Sequence, residues 1–139
     1  MEIMSPIHGK IIYSEEEIIS FEKGLPGFGD LKQYVIKELS ETPFNILQSI
    51  ENEELAFVIM SPFLIENNYE VKLNEEIIKK LKIESPSDVM LYSIVTLNSD
   101  VKKITANLKA PLIINIKNKK GEQFIVDVDK YKIKHQLSI

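Results

Sequence analysis

Ile104-Thr-Ala-Asn-Leu-Lys-Ala-Pro-Leu-Ile-Ile-Asn115 is the stretch whose reading decides the fold of this chain. It contains two short apolar runs, Ile104–Leu108 and Leu112–Ile116, joined at Ala110-Pro111. The β-branched residues and the proline break predict two short strands. The stretch holds no nucleophile–base pair, no metal-ligand spacing and no phosphate-cradling glycine loop. A small domain with such strands and no chemistry on them is expected to be a binding module rather than an enzyme.

The same signal repeats outward from this pair. Val89–Leu97 is a long apolar run rich in strand formers, expected to be a central strand buried on both faces. Asn118-Lys-Lys-Gly121 reads as a basic hairpin turn, and Phe124–Val128 as the next strand. Toward the N-terminus, Lys10–Tyr13 and Ile18–Phe21 flank Ser14-Glu-Glu-Glu17, a helical turn or a polar hairpin loop. Tyr34–Glu38 is strand-like. Phe44–Ile50 and Leu55–Met60 form a hairpin with the acidic tip Glu51-Asn-Glu-Glu54. Tyr69–Leu73 alternates like a half-buried strand. The tail Lys130–Ile139 gives no clear signal.

One segment reads as helix. Asn74 is the N-cap, and Glu75 and Glu76 sit in the first turn, where the dipole favours acid. Ile77, Ile78 and Leu81 form its apolar face. About ten short strands and one brief helix predict a mostly β, antiparallel barrel-like fold, read as one domain over residues 1–139.

Composition narrows the function classes. The length of 139 residues suits one core that buries roughly two-thirds of the unfolded surface. There is no cysteine, so disulfides and thiolate metal sites are excluded. The start Met1-Glu-Ile-Met-Ser-Pro6 lacks the pattern of a secretion signal, and no apolar run approaches the roughly 20 residues of a spanning helix. A cytoplasmic protein with no membrane partner is expected. All 17 basic residues are lysine, and the formal net charge is −4. Without arginine forks, and with a field that mildly repels phosphate, direct nucleic-acid binding is not expected.

The candidate chemical groups each have a bland account. His8 and His135, the two histidines, lie near opposite ends of the chain and are expected to bind no metal. Gly24-Leu-Pro-Gly-Phe-Gly29 carries Pro26 and no GK[ST], so it is a tight turn with Phe28 as an apolar plug. Ser49, Ser61, Ser93 and Thr105 have no G-x-S-x-G context. Asn45, Gln48, Asn107 and Asn115 sit in or beside apolar strands. Their side chains either satisfy backbone groups or face a partner. Phe44, Phe57, Phe63 and Leu64 are core residues or an exposed anchor.

Four ordered segments resemble the flagellar assembly factor W family. They are Phe21-Glu-Lys-Gly-Leu-Pro-Gly-Phe28, Pro43-Phe-Asn-Ile-Leu-Gln-Ser49, Leu55-Ala-Phe-Val-Ile-Met-Ser-Pro-Phe63 and Thr105-Ala-Asn-Leu-Lys-Ala-Pro-Leu-Ile-Ile-Asn115. The resemblance spans roughly residues 8 to 130. It implies a compact β-barrel-like fold, no enzymatic activity and no cofactor. It also implies two protein partners, flagellin and the carbon storage regulator, an RNA-binding repressor of flagellin translation. Non-competitive binding to the regulator would relieve repression, and new flagellin would reclaim the factor.

The partner-binding face is expected to carry Phe44, Asn45, Gln48 and Asn107. The acidic residues Glu51, Glu53, Glu54, Glu66 and Glu70 are expected to repel RNA once the protein is docked beside it. Two other classes compete. A β-barrel that binds or senses a metabolite needs a deep pocket with converging polar groups. An enzyme needs a cleft with a histidine and a perturbed carboxylate.

Overall fold

The computed structural model describes residues 1–137. Eleven strands run in order: β1 (Glu2–Ser5), β2 (Gly9–Ile12), β3 (Ile19–Phe21), β4 (Gln33–Glu38), β5 (Asn45–Ser49), β6 (Ala56–Met60), β7 (Val89–Thr96), β8 (Thr105–Ala106), β9 (Leu112–Asn115), β10 (Lys120–Gln123) and β11 (His135–Gln136). The helix α1 spans Glu75–Lys80, between β6 and β7.

Seven strands close into a barrel in the order β3-β4-β5-β6-β7-β9-β10 and back to β3. Every neighbouring pair is antiparallel except the seam between β10 and β3, which is parallel and short: Lys120 lies beside Ser20 and Gly121 beside Phe21. Strand β7 turns the corner. Its residues Ser93–Val95 pair with β6, and Val89–Tyr92 pair with β9. β8 and β11 extend the sheet beyond β7, and β1 and β2 form a separate hairpin.

Strand alternation divides the apolar side chains between two faces. Inside, Tyr34, Leu47, Ile59, Leu112 and Ile114 pack with Ile19, Phe21 and Leu25. The Phe21 and Tyr34 rings meet edge to face at 5.6 Å. The barrel is therefore filled by side chains, as small barrels are. Outside, Ile46, Val58 and Val95 are covered by Ile104, Ala106 and Leu137. Ile77 of helix α1 and its C-cap residue Leu81 pack on Ile113 of β9. Cover on both faces explains why these strands read as continuous apolar runs.

The helix is capped as its sequence predicts: Asn74 Oδ1 accepts from the Ile77 N–H at 2.9 Å. The hairpin of β5 and β6 also forms around Glu51–Glu54. Residues Glu15–Glu17 form a 3-10 turn closed by a capping box with Ser14.

Several expectations are corrected. Tyr69–Leu73 is not a strand, because Tyr69 is anchored by its side chain: its hydroxyl donates to the Leu108 carbonyl at 2.6 Å and its ring packs on Tyr131 at 4.6 Å. The last barrel strand is not Phe124–Val128 but β10, displaced toward the turn so that Gly121 meets Phe21. The turn buries Leu25, while Phe28 is 39% exposed and rests edge-on against Phe57. Gly24 there has φ 66°, and a Cβ would lie 2.5 Å from the Phe28 carbonyl oxygen, so only glycine fits. Strand β7 is not buried throughout: Met90 is 42% exposed. Strand β1 had no counterpart among the expected elements. In the tail, β11 pairs with β8, and residues 138 and 139 lie outside the described part.

Candidate functional site

The structure separates the four residues expected on one partner face. Phe44 packs outside the barrel against the cluster of Ile46 and Val58, and Gln48 points to the same side of β5. Asn45 shares the opposite, inward side with Leu47, because side chains alternate along a strand. Gln48 is fully buried, and its Nε2 donates to the carbonyls of Ser49, Glu53 and Leu55 at 2.9, 3.1 and 3.0 Å. It fixes the hairpin and has no surface to offer a partner. Asn107 is half-buried, and its Oδ1 accepts from the N–H groups of Lys109 and Ala110. It shapes the turn before Pro111.

Asn115 has the same kind of role. It is buried, and its Nδ2 donates to the Leu81 carbonyl at 2.8 Å and to Lys82 at 3.2 Å, while Oδ1 accepts from the Lys117 N–H. Asn118 Nδ2 also reaches the Leu81 carbonyl, at 2.9 Å. The pair satisfies carbonyls that the end of α1 leaves open. The spacing Asn115-Ile-Lys-Asn118 was visible in the sequence. Its target, 34 residues earlier, was not.

The acidic residues divide into two groups. Glu51 is engaged: its Oε1 accepts from the Lys32 and Gln33 N–H groups at 2.6 and 2.8 Å, tying the hairpin tip to the start of β4. Glu53 and Glu54 are exposed beside it. Glu66 caps a turn through the Asn68 N–H, and Glu70 is exposed. The two groups flank opposite ends of β6. The five residues of β6 between them span roughly 16 Å, about twice the Debye length in physiological salt.

An apolar groove of about 680 Å³ opens on the outer surface beyond the end of β6. Phe63, Val71, Leu73, Ile78, Val89 and Met90 are among the residues that line it. Its volume lies within the range of small-molecule and peptide sites. Phe63 and Met90 are 45% and 42% exposed, so Phe63 belongs to an exposed surface rather than the core. The groove's serine hydroxyls are turned to local work. Ser61 Oγ accepts from the Phe63 N–H, and Ser85 Oγ lies 3.0 Å from Ser87 Oγ. The sequence hinted at this site only through Phe63 and Leu64, because the groove is assembled from residues up to 30 positions apart.

No cluster of three or more His, Cys, Asp or Glu residues capable of holding a metal occurs among the described residues. Among them also, no helix is long and apolar enough to cross a membrane.

The fold and its surface define the class: a small closed β-barrel with a filled interior, carrying its surface features on an outer layer of helix, loops and tail. The FliW protein family model matches residues 2–137. The chain belongs to the FliW family. It is 48% identical over 138 residues to the flagellar assembly factor FliW of Clostridium botulinum (strain Okra / Type B1), covering 99% of this chain and 96% of that protein. It is 49% identical over 138 residues to the flagellar assembly factor FliW of Clostridium beijerinckii, covering 99% and 98%. A crystal structure of the flagellar assembly factor FliW superposes with a TM-score of 0.92 at 40% identity, covering 100% of this chain and 98% of that one.

Proposed function

We propose that this protein is a cytoplasmic, non-enzymatic flagellar assembly factor. It binds flagellin and, separately, antagonises the carbon storage regulator by non-competitive protein–protein binding. The observation that carries this reading is the family match over residues 2–137, together with relatives of nearly equal length that bear the flagellar assembly factor name.

The physical features support the regulatory half. An arginine-free chain of net charge −4 is a poor RNA ligand but an effective electrostatic neighbour to an RNA site. Docked beside the regulator's RNA surface, Glu53 and Glu54, or Glu66 and Glu70, oppose the phosphate backbone within a Debye length of about 8 Å. Glu51 adds its charge to the first patch but also holds the fold.

Calorimetry of the purified protein with flagellin and with the regulator tests this, with RNA release from the regulator as the second readout. Binding to both, RNA release by the factor, and RNA recapture on adding flagellin are the expected results. Failure to bind either partner would overturn the reading. The metabolite-binding alternative has weaker support, because the groove's hydroxyls serve local turns instead of converging on its interior.

A further inference from the structure

We infer that the groove beyond β6 receives an extended segment of a partner polypeptide, added as a strand to the free edge of β7. This goes beyond the assignment of partners, since it concerns how a chain is held and where.

The hydrogen-bond pattern of β7 defines the edge. The Asp88 carbonyl accepts from the Ile116 N–H, and the Ile94 carbonyl accepts from the Asn107 N–H. Even-numbered residues of β7 therefore aim their backbone groups toward β9 and β8. Odd-numbered residues aim toward β6, which meets Ser93 and Val95 through Met60 and Val58. Then β6 ends, and Ser61-Pro62 turns away into a 3-10 turn. Beyond that point the Val89 N–H closes on Pro86. The Leu91 N–H, the Leu91 carbonyl and the Val89 carbonyl lie on this odd-numbered side, where the pairing with β6 ends at Ser93 and Met60 among the described residues. Across the groove, Val71, Lys72 and Leu73 make no backbone–backbone bond among them.

A sheet edge with unpaired donors and acceptors, set beside apolar pockets, is the chemistry that recognises an extended chain. A helix satisfies its own backbone and would leave this edge unmet. The added strand would continue the line of β6, and alternate apolar side chains would meet Phe63, Leu73 and Met90. Charge fits the same occupant. Lys72 and Glu84 line the groove and join no ion pair among the described residues. An apolar segment with an acidic residue near Lys72 and a basic residue near Glu84 complements both.

The test uses the whole chain and a phage-displayed decapeptide library. The library is panned on the wild type and counter-selected on the double variant Phe63→Asp, Met90→Glu, with folding checked by circular dichroism. If that variant does not fold, Phe63→Ser replaces it. Selected peptides are synthesised with N-methyl groups on alternate backbone nitrogens in each of the two registers. The expected result is at least a tenfold loss of affinity in one register only, with slowed amide exchange at Leu91 in the complex. The inference is overturned if no peptide distinguishes wild type from variant. It is equally overturned if binders tolerate N-methylation in both registers, bind as helices, or are excluded because a second copy of the chain occupies the groove. Binding of flagellin or the regulator plays no part in this measurement, so either proposal fails without the other.

Discussion

A Cβ at Gly121 would lie 2.6 Å from Cε2 of the Phe21 ring, across the short parallel pairing that closes the barrel. The ring is fully buried and is held edge-on by Tyr34, so it has little room to retreat. Gly121→Ala should therefore cost about 1–3 kcal/mol, the usual range for overpacking. Phe21→Leu in the same chain should recover part of that loss. Urea denaturation of the two single variants and the double variant gives the coupling energy, and strictly additive losses would contradict the contact.

Asn115→Ala removes a buried donor from the Leu81 and Lys82 carbonyls and an acceptor from the Lys117 N–H. The expected cost is about 1–2 kcal/mol, because the Lys82 carbonyl and the Lys117 N–H lose this partner while Asn118 still reaches the Leu81 carbonyl. Asn118→Ala should cost less, since Asn115 still reaches the Leu81 carbonyl. Equal losses in thermal denaturation would show that the two asparagines do not share this helix end as described.

Glu17 carries the clearest acid-side signature. Its carboxylate is held below the usual range first by the hydrogen bond from Lys37, and next by the Ser14 N–H. A depressed folded pKa contributes stability above the unfolded value, 4.5, and that stability is lost as pH falls through the folded value. The margin of wild type over Glu17→Gln should be constant near neutrality and shrink below about pH 4.5. It should stay under about 1 kcal/mol, because the pair is partly exposed and screened. Chemical denaturation from pH 7 to pH 3 checks the sign, and a margin that grew on acidification would refute it.

Tyr34 gives the opposite limb. Burial, then the nearby Glu51 charge, pushes its phenol up to about 12. A raised folded pKa favours the neutral form in the folded state, so its stability is complete below the unfolded value near 10 and is lost as pH rises toward 12. Tyr34→Phe should lose less stability than wild type across that interval. Ultraviolet titration of phenolate should show one fewer late-ionising group in the variant. Identical alkaline profiles would rule out the assignment.

Charge reversal at Glu53 and Glu54 should leave regulator binding intact while weakening RNA release. The same change at Glu51 is unsuitable, since its carboxylate holds the Lys32 and Gln33 N–H groups. Full RNA release by the Glu53→Lys, Glu54→Lys variant would remove this patch from the mechanism. Glu66 and Glu70, at the other end of β6, would then carry the electrostatic part or leave it unsupported.

The sequence by itself determined the barrel strands other than β10, the hairpin around Glu51–Glu54, the capped helix after Asn74 and the family. Those features rest on local periodicity, on capping chemistry and on the order of four motifs. The tertiary structure decided what each polar residue is for. Asn45 and Gln48 differ by three positions and so fall on opposite faces of one strand, which separates a face that composition had joined. Asn115 finds its partners on a helix 34 residues away. Tyr69 trades strand pairing for a buried hydroxyl bond to Leu108. The open edge of β7 exists because β6 stops at Ser61-Pro62 while β7 runs on. Strand ends are set by what packs beyond them, and neither that packing nor the edge it leaves is encoded within any one segment.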